Sequence, residues 1–213
     1  MPDAGSAIQP AEVAYLTCPR CWFAGPFAPY GALTFRCSRC EWPFTLAAPA
    51  LSAAPAFPAT TVAVANPYAT PVAATITLNG ATITGFYVGG VSAGTTAGAY
   101  LIPAGGTISA TFTGGPPTWT WALPAISAGV SAGGTALTFA PTGTSVAFVQ
   151  GQVLIVDPAG TSDVTVVNGT PTATSVPVGS LNSAHLTGVL VAVAALAPAL
   201  SGTGLENVPK TSY

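Results

Sequence analysis

Four cysteines fall into two close pairs, Cys18-Pro-Arg-Cys21 and Cys37-Ser-Arg-Cys40, with 15 residues between the pairs. This is the C-x2-C-x15-C-x2-C spacing of a four-thiolate metal site. Each pair can form a tight knuckle that presents two thiolates, and two knuckles enclose one tetrahedral ion. Four thiolates fill the coordination sphere and leave no position for a reactive water. The expected cofactor is therefore a structural Zn2+ held by Cys18, Cys21, Cys37 and Cys40. Iron in a rubredoxin-like site and a pair of disulfides are the rivals, and the disulfides require an oxidising compartment. Tyr15, Trp22, Phe23, Phe27, Phe35, Trp42 and Phe44 surround the pairs in sequence and can shield the thiolates. Few other residues there can build a core, so the ion is expected to supply much of the folding free energy.

The other groups capable of chemistry are sparse. His185 is the only histidine. A triad can be drawn from it to Asp163 or Asp157 and a serine, but no Gly-x-Ser-x-Gly elbow supports one. The expected role of His185 is a bond to backbone or to the Asp163 carboxylate that fixes a loop. The six carboxylates, Asp3, Glu12, Glu41, Asp157, Asp163 and Glu206, are scattered. Asp157 and Asp163 could approach across a turn, as glycoside hydrolysis would need, but turn capping is the expected use. The Gly-Gly pairs at 89–90, 105–106, 114–115 and 133–134 precede no helix with a Lys and read as turns. Asn168-Gly-Thr170 matches a glycosylation acceptor but reads as a hairpin turn. No catalytic residue is assigned, and the chain is not expected to be an enzyme.

Charge narrows the partners. Only 5% of the 213 residues are charged, against about 25% in an ordinary soluble domain. Sparse charge lets copies approach closely, because little has to be desolvated on docking. An assembled protein, with homo-oligomers among its contacts, is the expectation. The net charge of −2 gives no basic stripe for nucleic acid. Arg20, Arg36 and Arg39 lie among the cysteines and offset the thiolates. The N-terminus, Met-Pro-Asp-Ala-Gly-Ser, lacks a basic start and an apolar core. The longest apolar run, Leu186 to Leu200, is interrupted by Gly188 and Pro198 and falls short of a membrane span. Folding in a reducing cytoplasm, without membrane contact, is expected.

The elements that must carry these residues read as strands throughout, so the fold class is all-β. Residues 1–47 form the zinc ribbon, 48–60 an Ala/Pro linker, 61–124 a first β module, 125–197 a second, and 198–213 an extended tail. Both modules are expected to be sandwich- or barrel-like. In the first, Thr61 to Ala65, Thr75 to Leu78, Thr82 to Val88 and Thr107 to Phe112 are candidate strands, with a turn at Pro103-Ala-Gly-Gly106. Asn79-Gly80 predicts a hairpin, since a type I′ turn needs positive φ twice. Trp119 and Trp121, two apart, fall on one strand face. They could stack on a sugar, but packing is the expected role. In the second module the candidates are Leu137-Thr-Phe139, Gln152 to Val156, Asp163 to Val167, Thr172 to Val178 and Val189 to Ala195, with a second hairpin at Asn168-Gly169.

Two stretches carry a resemblance. Asn66-Pro-Tyr, Thr70-Pro-Val72, Ile83-Thr, Ile102-Pro-Ala-Gly-Gly-Thr-Ile108 and Pro117-Thr-Trp-Thr-Trp121 together resemble a module in structural proteins of tailed actinobacteriophages. Gly151-Gln-Val-Leu-Ile-Val-Asp157, Ser162-Asp-Val-Thr-Val-Val167 and Ser183-Ala-His185-Leu-Thr-Gly188-Val-Leu-Val191 resemble a β module recurring in phage head and tail proteins. There, a strand pair with an acidic residue, here Asp163, precedes a His-x-x-Gly-x-x-Val ending. The basic residue and Asp-Gly usual before the His segment are replaced by Val178-Gly-Ser-Leu181. The resemblance covers about two thirds of the chain. It implies a virion protein assembled in the host cytoplasm: a capsid decoration or minor capsid protein bound to the major capsid protein or other virion proteins. The alternatives it leaves are a tail-associated module or one that binds carbohydrate or a host surface.

Overall fold

Thr and Val dominate the chain's short alternating runs, and strands are the only regular structure that places such β-branched residues on two distinct faces. A computed structural model describes residues 15–27, 33–54, 61–96, 98–115, 117–140 and 146–196. Among these residues there are strands and no helix, so the chain is all-β. The tail 198–213, residues 55–60 of the linker, and Asp3, Glu12 and Glu206 lie outside the described residues.

The ribbon contains β1 (Tyr15–Thr17), β2 (Ala24–Pro26), β3 (Thr34–Arg36) and β4 (Pro43–Ala47). β1 pairs with β2 and β3 with β4, both antiparallel. The next stretch contains β5 (Thr61–Ala65), β6 (Val72–Thr77), β7 (Thr82–Val88), β8 (Val91–Gly94), β9 (Ala99–Ile102), β10 (Thr107–Thr113) and β11 (Thr118–Ala122). These make a sandwich of a four-stranded sheet, β5-β10-β7-β8, and a three-stranded sheet, β11-β6-β9. Alternation builds its core: Val72, Ala74 and Ile76 point inward from β6, and Trp119 and Trp121 from β11. Ile83, Phe86 and Val88, with Ile108 and Ala110, meet them from the other sheet. The Phe86 and Tyr100 rings bridge the two layers at 5.1 Å. Leu51 and Ala54 of the Ala/Pro stretch pack against this core, and the Trp121 indole N–H donates to the Ser52 carbonyl at 2.7 Å.

The last stretch contains β12 (Ala136–Thr138), β13 (Val153–Val156), β14 (Asp163–Val166), β15 (Ser175–Pro177), β16 (Val191–Val193) and β17 (Ala195–Leu196). β12 pairs with β15, and β14-β13-β16 form a three-stranded sheet. Leu101 from β9 enters this core, and Ala73 packs against it. The Thr70 hydroxyl accepts the Val193 N–H at 2.9 Å, tying the sandwich to β16.

The structure corrects both hairpin expectations. Asn79 and Gly80 do have positive φ, 48° and 83°, and the Ala81 N–H donates to the Leu78 carbonyl. Yet β6 and β7 do not pair; the turn passes the chain from one sheet of the sandwich to the other. A tight turn reverses direction, but the apolar faces on both sides of it decide whether the strands stay together. At Asn168-Gly169 neither residue has positive φ. The reversal instead lies at Thr172–Ser175, where the Thr172 hydroxyl accepts the Ser175 N–H at 3.0 Å. Thr172 to Val178 accordingly contributes only the short β15. Val189 to Ala195 is also divided. Val191–Val193 pairs with β13, and beyond Ala194 the chain leaves as β17 to pair with β4 of the ribbon.

Candidate metal centre

Each cysteine pair sits at the tip of one ribbon hairpin, and the two tips are built alike. In the first, the Cys18 N–H donates to the Phe23 carbonyl at 2.9 Å and the Trp22 N–H to the Cys18 carbonyl at 3.0 Å. In the second, Cys37 and Trp42 share the matching bond at 3.0 Å, and Glu41 and Cys37 at 2.8 Å. The residue after each second cysteine is left-handed: Trp22 at φ 57° and Glu41 at φ 55°. That conformation turns the backbone so both thiols of a pair face inward. It costs a residue with a Cβ roughly 1–2 kcal/mol, which glycine would avoid.

The four Sγ atoms all lie within 4.8 Å of one another. Cys18 and Cys40 are 3.7 Å apart, and Cys21 and Cys37 3.6 Å. Four thiolates about a tetrahedral ion at about 2.3 Å stand about 3.8 Å from each other. The cluster therefore has the dimensions of a four-thiolate metal site, and all four cysteines are free thiols. Cys18 and Cys37 are fully buried, and Cys21 and Cys40 half-buried.

Electrostatics point the same way. Burial raises the Cys37 thiol, but the backbone amides of Cys40 and Arg39 and the thiols of Cys21 and Cys40 outweigh it, bringing Cys37 down to about 7. Cys40 moves oppositely. Burial and the adjoining thiols of Cys21, Cys37 and Cys18 push it up to about 12, against the Trp42 amide. Crowded thiols split in this way because ionising one disfavours ionising its neighbour. A cation at the centre removes that conflict and lets all four ionise.

Aromatic packing closes the site from one side. Phe27 meets Phe44 edge-on at 5.4 Å, and Phe35 stacks on Phe44 at 5.9 Å. Phe23 and Trp42 are partly buried against the same cluster. Trp22 does not shield the thiolates: it is 78% exposed. The Arg20 guanidinium lies 4.6 Å over the Trp42 ring and so ties one knuckle to the other.

The remaining candidates are not gathered at this centre. His185 Nε2 lies 3.0 Å from Asp163 Oδ2, and the same oxygen accepts the Ser183 N–H at 2.9 Å. His185 also pairs through its backbone with Val130. With a proton on Nε2 the ring donates to Asp163, and its buried Nδ1 has no partner. The arrangement pins loop 181–185 to β14, as expected, and among the described residues no serine hydroxyl is in hydrogen-bond contact with the ring. Asp157 caps its own turn, with Oδ2 accepting the Thr161 N–H at 3.0 Å. Trp119 and Trp121 are buried with ring centroids 5.3 Å apart, so their faces pack inward.

One residue that fixes the architecture is Asn66, whose Asn-Pro pair in sequence marks only a break after the Thr61 to Ala65 strand. Asn66 is buried; its Nδ2 donates to the carbonyls of Thr70 and Pro103, and its Oδ1 accepts the Tyr68 N–H at 3.0 Å. Nothing local in the sequence points to the distant carbonyl of Pro103. Comparison with protein-family models, with curated proteins and with solved structures finds no match to this chain.

Proposed function

We propose that this chain is a structural protein of an assembled particle, and that its ribbon holds a structural zinc ion. The observation that carries the reading is the absence of charge across the sandwich. No Asp, Glu, Lys or Arg occurs between Glu41 and Asp157, a stretch that includes every strand from β5 to β11. A free, concentrated protein ordinarily keeps both signs of charge on its surface for solubility. A subunit whose surface meets other subunits has no such need and gains from having little to desolvate. Trp22, Val149 and Leu186 add exposed apolar side chains of the kind that anchor protein contacts.

The resemblance described above narrows the particle to a tailed-phage virion. The chain then acts as a capsid decoration or minor capsid protein, docked through protein–protein contacts and performing no catalysis. Zinc is the assigned ion because four thiolates complete its preferred tetrahedron and it brings no redox chemistry. Particles purified to constant composition should contain the chain at fixed stoichiometry, with one zinc per copy. Recovery of the chain only from the soluble fraction of infected cells would overturn the virion assignment. A coloured, iron-containing protein would overturn the zinc assignment alone.

A further inference from the structure

The ribbon lies against the sheet β14-β13-β16, which is buried on both faces and wholly apolar on the one toward the ribbon. Along β13, Leu154 and Val156 point into the core shared with β12 and β15, while Ile155 points the other way. Ile155 is 0% exposed, and what covers it is the ribbon: it belongs to one cluster with Leu16, Phe27, Phe35, Phe44, Leu46, Cys18 and Cys37. Val153, Val164, Val166 and Ala194 pack against the same cluster. The join is also made by backbone, since β17 pairs with β4 through Ala195–Ala47 and Leu196–Leu46. Two of the ribbon's own core side chains are metal-site cysteines, so the surface that covers Ile155 includes the ligands.

A ribbon of this size, built from strands of three to five residues, has little core apart from the ion. Without the ion its hairpins keep only side-chain contacts such as Phe27–Phe44 and Arg20–Trp42 to hold them together. The sandwich has its own separate core, to which no described ribbon residue contributes. We infer that the metal-held ribbon is a releasable cap: metal occupancy decides whether the outer face of β14-β13-β16, formed by Val153, Ile155, Val164 and Val166, is covered or open. The inference rests on the metal assignment and not on the virion one.

The test is hydrogen exchange with mass spectrometry on the full chain, with metal bound, after chelation, and after zinc is restored. Metal content is measured in parallel by native mass spectrometry. On chelation, amides in 153–156, 163–166 and 191–196 should lose at least about tenfold in protection, while 72–77, 82–88 and 107–113 keep theirs. Restoring zinc should reverse the loss. An apolar dye should bind the chelated chain and not the loaded one. Cys37→Ser should reproduce the chelated pattern without chelator. If metal leaves and 153–156 stays protected, the coupling is wrong. If 82–88 loses protection equally, there is no selective cap and the inference fails. If the chain as purified binds no metal, both the metal assignment and the inference fail together.

Discussion

The ribbon and the sandwich solve the same problem by different means. The sandwich buries the inward faces of two sheets, with Phe86, Tyr100, Ile102 and Ile108 all within 1% of complete burial. Its stability comes from apolar area removed from water. The ribbon has strands of three to five residues and a handful of aromatic rings, and it completes its core with thiols gathered at one point. It also borrows the face of another sheet. The comparison teaches that an all-β chain this poor in charge need not be stabilised uniformly. One end gathers four thiols that could hold an ion, and the middle depends on packing alone.

The largest effect that would sharpen this contrast is loss of the metal. Cys40→Ser should abolish one-ion stoichiometry and remove from the ribbon binding free energy of order 10 kcal/mol. Trypsin reads the result directly, because the only Lys and Arg residues are Arg20, Arg36, Arg39 and Lys210. Cleavage at the three arginines should become rapid. Equal resistance of the variant and the parent chain would break the comparison.

Next is the reciprocal change. Phe86→Ala empties the centre of the sandwich and should cost about 4 kcal/mol, seen as an earlier denaturant midpoint. Metal content should be unchanged. A third test concerns the polar cross-link in the C-terminal region. Asp163→Ala leaves His185 and the Ser183 N–H buried without their acceptor and should cost about 3 kcal/mol. His185→Ala, by contrast, leaves the carboxylate its Ser183 bond, so a smaller loss is expected in the same denaturation assay.

The smallest effect has the opposite sign. Glu41→Gly relieves a left-handed residue without touching a ligand and should stabilise the loaded ribbon by about 1 kcal/mol. Slower release of zinc to a competing chelator would register it. No change, or a faster release, would mean that the Glu41 side chain contributes more than its backbone strain.

Much of the metal centre was legible in sequence because it is local. Two short C-x2-C turns specify their own geometry, and any fold that brings the hairpins together completes the cluster. The strands of the sandwich were legible for a related reason: a period of two in Thr and apolar residues reports which side chains are buried. Both tryptophans of Trp119-Thr-Trp121 are inward, as the spacing requires. The Asn79-Gly80 turn shows where legibility stops. Its two positive φ values follow from residue type, but the parting of β6 from β7 depends on cores assembled from residues far along the chain.

Sequence alone therefore determined the thiol cluster, the all-β character and the inward face of most strands, since each depends on residues near one another in the chain. Only the tertiary structure decided what lies across each face. The run Val153 to Val156 announces burial on both sides, but its pattern cannot say that one side meets β12 and β15 and the other a ribbon more than a hundred positions earlier. Periodicity encodes how much of a strand must leave water. The partner that takes it out of water is chosen by the folded chain as a whole.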